Sequence, residues 1–228
     1  MASRGGRVQP LVLAAGSGSR FGSDGRKLTA EVAGVPLIGH LLAALDGCAK
    51  SAMLDQPLVI VRPEARDLMA LARTHRCRLI TVASDGLSSS LRAGVSASAE
   101  APAWMMLLAD QPFSTVAHWR RLIACWQEGA DAAFSDGGEG PQPPAIFDRS
   151  LKPQLLALSG DRGAAQLIGR LAEPPTVVTF RPGLWMRDVD TKGDLEQVSA
   201  EIRARRRGRS RGPAGAKEKG PGSAGSAP

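Results

Sequence analysis

The 228-residue sequence contains no tyrosine, and aromatic side chains make up only 4% of it. That scarcity argues against the base-stacking platforms of single-strand nucleic-acid binders. Cysteine is equally sparse: Cys48, Cys77 and Cys125 lie too far apart for a C-x-x-C zinc or redox motif. An odd cysteine count behind an N-terminal Met-Ala-Ser-Arg-Gly-Gly-Arg without an apolar leader fits a reducing cytoplasm. No apolar run approaches the roughly 18 residues of a membrane span, so no membrane partner is expected. The three histidines, His40, His75 and His118, sit in helical patterns without a matched serine or cysteine, which leaves a hydrolytic triad unsupported.

Charge is present in excess but is not spread along the chain. Of 29 basic and 22 acidic residues, eight basic and one acidic lie from Arg203 to Pro228. The first 202 residues therefore carry 21 of each sign and no net charge. The +7 of the whole chain belongs to a segment rich in Gly, Ala, Ser and Pro, read as a disordered basic tail over 203–228 behind one domain over 1–202. No nucleic-acid partner is therefore expected for the domain itself.

Within the domain, short apolar runs alternate with amphipathic stretches. Strands are predicted at Val8–Ala15, Pro57–Val61, Cys77–Val82, Ala103–Ala109, Ala130–Phe134, Pro175–Phe180 and Leu184–Val189. Helices are predicted at Val35–Leu45 with Pro36 in its first turn, Pro63–His75, Ser88–Ala99, and from a Ser114 cap to Gln127. Shorter helices follow at Leu151–Leu158 and Gly163–Leu171, and a last one begins at Thr191. Gly137–Pro144 reads as a loop. The alternation predicts an α/β domain with a mostly parallel sheet and helices on both faces. Trp104, Trp119, Trp126 and Trp185 are expected in packing roles.

Three constellations carry chemistry. The first strand ends in Gly16-Ser17-Gly18-Ser19-Arg20-Phe21-Gly22, followed by Lys27. Glycines let backbone N–H groups approach phosphates, while Arg20 and Lys27 would offset triphosphate charge. The spacing fits neither the dinucleotide fingerprint nor a P-loop, and a solvated surface turn is the plain alternative. Second, Asp110 ends a buried strand, where ligands of open α/β sheets collect. Asp188 and Asp190, at i and i+2, offer a second carboxylate; Asp110 with one of them could hold Mg²⁺. A salt bridge for Asp188 and a helix cap for Asp190 are the plain alternatives. Third, the Ser88-Ser89-Ser90 turn opens a helix whose N–H groups could hold a phosphate, unless Ser88 is simply a cap.

Taken in order, these motifs resemble a known family. Leu13-Ala14-Ala15-Gly16-x-Gly18-x-Arg20-Phe21-Gly22 with Lys27 is similar to the signature of nucleotidyltransferases acting on molybdenum cofactor. Gly86 to Gly94, Leu108-Ala109-Asp110-Gln111-Pro112, Leu158 to Gly163 and Asp188-Val189-Asp190-Thr191 resemble its cytidylyltransferase branch. The resemblance implies a three-layer Rossmann-like nucleotidyltransferase fold with a mixed, mainly parallel sheet. It implies transfer of CMP from CTP to the terminal phosphate of molybdenum-molybdopterin, with Mg²⁺ as cofactor and a molybdoenzyme client. Arg20, Lys27 and Asp110 would be catalytic, with Asp110 and Asp190 on the metal. Leu13, Ala14, Ala15, Gly16, Ser17, Gly18, Arg20, Lys27, Ser88 and Ser89 would face the nucleotide, and Ser90, Asp161 and Arg162 the acceptor.

Two departures stand out. Four residues, Ser23–Arg26, separate Gly22 from Lys27 where the pattern has about two. Pro143 stands where the family has a Gly-His-Pro-like or Gly-Asn-Pro-like stretch, removing a polar side chain and an N–H donor. GTP as donor, another phosphorylated acceptor, and a non-catalytic cofactor-binding chaperone remain alternatives.

Overall fold

The apolar run after Arg7 forms the centre of a sheet. The computed structural model describes residues 3–16, 21, 27–48, 51–83, 86–160, 163–180 and 187–210, with side chains through 204. In chain order the elements are β1 (Gln9–Leu13), β2 (Glu31–Val32), β3 (Val35–Pro36), α1 (Leu37–Cys48), β4 (Leu58–Val61), α2 (Arg66–Thr74), β5 (Arg78–Thr81) and α3 (Leu87–Ala97). There follow β6 (Ala103–Leu108), α4 (Val116–Gln127), β7 (Ala132–Asp136), β8 (Gln142–Asp148), α5 (Lys152–Leu156), β9 (Thr176–Thr179) and α6 (Lys192–Ser210).

Seven strands form one sheet in the order β5-β4-β1-β6-β8-β7-β9, with only β8 antiparallel to its neighbours. This is the mixed, mainly parallel sheet expected. Side chains alternate across it, as the two-residue strand period requires. Val12, Val59, Val61, Met105 and Leu107 pack with α1, α2 and α4 on one face. Leu11, Leu58, Ile60, Trp104 and Met106 pack with α3 and α5 on the other. Every residue of β1 and β4 is buried, as in a parallel strand covered on both faces. Trp104, Trp119 and Trp126 are fully enclosed, in keeping with their predicted packing role, while Trp185 falls outside the described residues.

The chain moves from β1 to β4 and β5 on one side, then returns to place β6 on the other. A crevice therefore opens beyond the carboxyl ends of β1 and β6, where the strand order reverses. Close packing of α3 supports it. A Cβ at Gly94 would stand 3.0–3.2 Å from Leu11 and Ile60 methyl carbons, so a larger residue would need those side chains to give by a few tenths of an ångström.

Several boundaries differ from the sequence reading. Pro36 belongs to β3, and α1 begins one residue later, at Leu37. Thr115, not Ser114, caps α4 by accepting from the His118 N–H; the Ser114 hydroxyl instead accepts from Trp119 Nε1 at 2.6 Å. The predicted loop at 137–144 ends in strand β8, which begins at Gln142. The paired strand β2–β3 was not anticipated. Residues 187–189 of the predicted Leu184–Val189 strand are not in a strand, and 184–186 lie outside the described residues. The last helix continues to Ser210, eight residues past the expected end of the domain.

Candidate active site

Lys27 begins a short helical turn ahead of β2, and its side chain runs beneath the carboxyl ends of β1 and β6. Its ammonium donates to Asp110 Oδ2 at 2.7 Å and to Asp190 Oδ1 at 2.6 Å. The lysine is 7% exposed, whereas the Asp110 and Asp190 side chains are 29% and 37% exposed. A buried cation thus sits under two carboxylates that reach solvent. Burial alone would lower the Lys27 pKa, but Asp110 and then Asp190 outweigh it and hold the ammonium charged above its ordinary value.

The sheet supplies Asp110, and the C-terminal segment supplies Asp190. The Val189 N–H donates to the Asp110 carbonyl at 3.1 Å, laying 188–190 alongside the end of β6. Thr191 then starts α6. Its hydroxyl accepts from the Asp194 N–H at 3.1 Å, while Asp194 Oδ2 accepts from the Thr191 N–H at 2.7 Å, a reciprocal capping box. Thr191 takes the cap, so the Asp190 carboxylate is left to meet Lys27. Val32, Leu37, Val189 and Val198 form a small apolar cluster that fixes α6 against the β2–β3 hairpin.

Asp188 completes the acidic group. Its carboxyl is pushed up to about 6, first by lost hydration and then by the charges of Asp110 and Asp190, with a Gln111 hydrogen bond opposing. Gln111 itself is 2% exposed, and its Oε1 is buried without a hydrogen-bond partner among the described residues.

At the end of β1, Leu13, Ala14 and Ala15 are buried and Gly16 is exposed, with nothing among the described residues within 4 Å of an added Cβ. The Ala14 N–H donates to the Ile60 carbonyl at 2.9 Å, and the Ala15 carbonyl accepts from Arg62 Nε at 2.7 Å. Ser17, Gly18, Arg20, Asp161 and Arg162 lie outside the described residues.

The serine turn sits at the same edge of the sheet. Gly86, at φ 152°, is the α3 cap position and makes no side-chain cap, so Ser88 is not the cap. The Ser88 hydroxyl donates to the Ser159 carbonyl at 3.2 Å and accepts from Gln166 Nε2 at 3.3 Å. It ties α3 to the 159–166 turn. Ser89 is half-buried and Ser90 buried beside it.

Arg62 and Gln166 were not singled out from sequence, and Gln111 entered only as part of the Leu108–Pro112 motif. Arg62 carried a signal, since it ends the apolar run of β4 ahead of Pro63. His118 was taken to lack a serine partner, yet its Nε2 lies 2.7 Å from Ser135 Oγ. Ser135 donates to the Pro144 carbonyl at 2.5 Å and is fully buried. His118 is pushed down to about 4 by burial and by Arg121. The pair is a buried neutral tie between α4, β7 and β8, not a nucleophile open to substrate.

A family model described as MobA-like NTP transferase domain matches residues 10–175. The chain belongs to this family. Lys27 and Asp110 fall inside the matched region, while Asp190 lies beyond it. Over 145 residues, 61% of this chain, it is 32% identical to the bifunctional protein GlmU of Gluconacetobacter diazotrophicus. Over 77 residues, 34% of this chain, it is 32% identical to the 2-C-methyl-D-erythritol 4-phosphate cytidylyltransferase of Pelotomaculum thermopropionicum. The matches span only 29% and 31% of those two proteins. Among solved structures, a homologue of Mycobacterium tuberculosis Rv0371c from Mycobacterium sp. strain JC1 is 27% identical, with a TM-score of 0.71 over 87% of this chain and 98% of that one. The fold is also that of molybdopterin-guanine dinucleotide biosynthesis protein A from Archaeoglobus fulgidus (19% identity, TM-score 0.63, 87% of this chain and 100% of that one). No helix among the described residues is long and apolar enough to cross a membrane.

Proposed function

We propose that the chain transfers CMP from CTP to the terminal phosphate of a molybdopterin-type cofactor, releasing pyrophosphate. The observation that carries this reading is the Lys27 ammonium held between Asp110 and Asp190 at the strand-order reversal. The MobA-like family match supports the acceptor class, and the cytidylyltransferase relative supports CTP.

In such a reaction an oxygen of the acceptor phosphate forms a bond to the α-phosphorus of CTP. The bond from that phosphorus to the β-bridging oxygen breaks, and pyrophosphate leaves with the electron pair. Two polyanions must meet, so charge compensation decides the rate. Two unit charges 4 Å apart interact by about 4 kcal/mol at an effective dielectric near 20. Lys27 would supply one such interaction once Asp110 and Asp190, which hold its ammonium at 2.7 and 2.6 Å, turn to another cation. Arg20 would supply another from the glycine-rich loop.

The donor set also suits a hard divalent cation. Asp110 and Asp190 share one ammonium, and among the described residues no third His, Cys, Asp or Glu side chain converges with them. The orphaned Gln111 Oε1 adds a neutral oxygen. Asp110 and Asp190 would hold Mg²⁺, whose role is to neutralise phosphate charge. Gly16, exposed at the end of β1, would present its backbone to the nucleotide, with the half-buried Ser89 beside it. Ser88 acts on the turn beneath, through Ser159.

One observation favours a second acceptor. Pro143 and Pro144 occupy the start of β8, where neither offers an N–H to a pterin, and the cytidylyltransferase relative is named for an erythritol phosphate. The test is pyrophosphate release with CTP, GTP, ATP and UTP, each with molybdenum cofactor and with sugar phosphates. CTP with molybdenum cofactor is the expected pair; a preference for GTP, or no turnover with any pair, overturns the reading. In the same assay Asp110→Asn should lose at least 100-fold in kcat, and unchanged turnover removes Asp110 from the site.

A further inference from the structure

We infer that Lys27 is a resident counter-ion, which keeps bare divalent cations out of the Asp110–Asp190 site and yields it only to a cation that arrives with a triphosphate. This rests on the metal assignment proposed above, not on which base or acceptor is used. The ammonium lies 2.7 Å from Asp110 Oδ2 and 2.6 Å from Asp190 Oδ1, so one lysine occupies both carboxylates at once. Two negative charges and one positive leave a single net negative charge to attract a metal, half of what the carboxylates alone would present. Among the described residues no third acidic, histidine or cysteine side chain joins them. A hard cation held by two carboxylates relies on substrate phosphates for further ligands.

Lys27 cannot simply step aside. It is 7% exposed, and the turn it opens is anchored on both sides. Its carbonyl accepts from the Ala30 N–H at 3.3 Å, and Leu28 packs against both the sheet core and the apolar cluster under α6. An ammonium driven off by a metal alone would stay in the interior without a counter-charge, a costly state. A triphosphate removes that cost, because its oxygens offer the ammonium a new anionic partner in the same crevice. The carboxylates then pass from lysine to metal while the lysine passes from carboxylate to phosphate, and no charge is left unpaired.

The carboxylates do not depend on Lys27 for their place. The Val189 N–H donates to the Asp110 carbonyl at 3.1 Å, which joins the two segments through their backbones. The Asp190 N–H donates to Asp194 Oδ2 at 3.1 Å, and the Thr191–Asp194 capping box holds the same turn. Replacing the ammonium by a neutral group therefore leaves two carboxylates in position with nothing to offset them. Such a pair attracts a divalent cation more strongly than the native triad does.

The experiment is titration of the nucleotide-free full chain with Mn²⁺, read by calorimetry and by the paramagnetic signal of the free ion. It compares wild type, Lys27→Met, Lys27→Gln and the double variant Lys27→Met with Asp110→Asn. Lys27→Met should bind Mn²⁺ at least about 10-fold more tightly than wild type, and the added Asp110→Asn should remove the gain. Melting curves give a second readout. Without divalent ions Lys27→Met should melt below wild type and recover on adding Mn²⁺, whereas the wild-type Tm should not respond to the same Mn²⁺ alone. If Lys27→Met does not fold, Lys27→Gln, which loses the charge and keeps a donor, decides the matter. Equal Mn²⁺ affinity in wild type and the folded variants overturns the role of Lys27 and leaves the metal assignment and the cytidylyl reading standing. No bound Mn²⁺ in any of the proteins, with or without CTP, overturns the metal assignment as well.

Discussion

A single lysine is shared by carboxylates 83 and 163 residues away in sequence. Asp188, raised first by lost hydration, is raised further by the like charges of those two carboxylates, while Lys27 opposes them. Its pKa of about 6 lies above the roughly 3.9 of an unfolded aspartate. A group raised in the fold stabilises it fully below the unfolded pKa, and that contribution is lost as pH climbs through the folded one. Ionised Asp188 therefore works against the fold above about pH 6. Asp188→Asn should raise Tm at pH 7.5 in the absence of divalent ions, with little change at pH 4. Melting curves at the two values check this, and an equal shift at both would remove Asp188 from the charge cluster. None of it could be read from spacing: the sequence offers Asp188 and Asp190 as equal candidates, and only the Thr191 cap and the Val189 hydrogen bond decide which one meets Lys27.

Among the elements, those with a strong apolar period were legible. The strands β1, β4, β5 and β6 and the helices α2 and α3 fall within a few residues of expectation. Strand β8 was not, because Gln142-Pro143-Pro144 reads as a breaker. The sheet admits it through a register shift between Phe134 and Ser135, just where the prolines offer no N–H to β7. Ser135 and His118 then secure the Pro144 carbonyl. Helix α2 shows the reverse case, a good element with an unsuitable end. The Cys77 N–H bonds the Ala72 carbonyl at 3.1 Å and the Arg76 N–H bonds the Arg73 carbonyl at 3.0 Å. This is a Schellman ending with Arg76 at φ +54°, the position that favours glycine. Arg76 is exposed. Arg76→Gly should stabilise the protein by about 0.5–1 kcal/mol once the added freedom of the unfolded chain is subtracted. Tm should rise by about 1–4 °C for a domain of this size; a fall would mean that the arginine side chain makes a contact that outweighs the backbone.

For the whole molecule, the segregation of charge matters more than its sum. A domain of zero net charge has no long-range field to draw in polyphosphates, so any attraction must come from local groups. The basic excess begins late in α6, beyond the apolar contacts of Val198 and the half-buried Ile202. Removing 211–228 should leave Tm within about 1 °C and nucleotide turnover within twofold of the full chain, since no apolar residue that anchors α6 is lost. A large loss of turnover would show that the basic end reaches substrate.

The capping box of α6 has a mechanical consequence as well. Asp190 directly precedes the residue that starts the helix, while the arginines cluster toward the other end, about 28 Å away at 1.5 Å per residue. The helix is pinned at its first turn by that cap and again through Val198 against the β2–β3 pair. Whatever pulls on the basic end, displacement is largest there and shrinks toward Thr191. The ammonium between its two carboxylates is thereby insulated from traffic at the tail, although both belong to one continuous element.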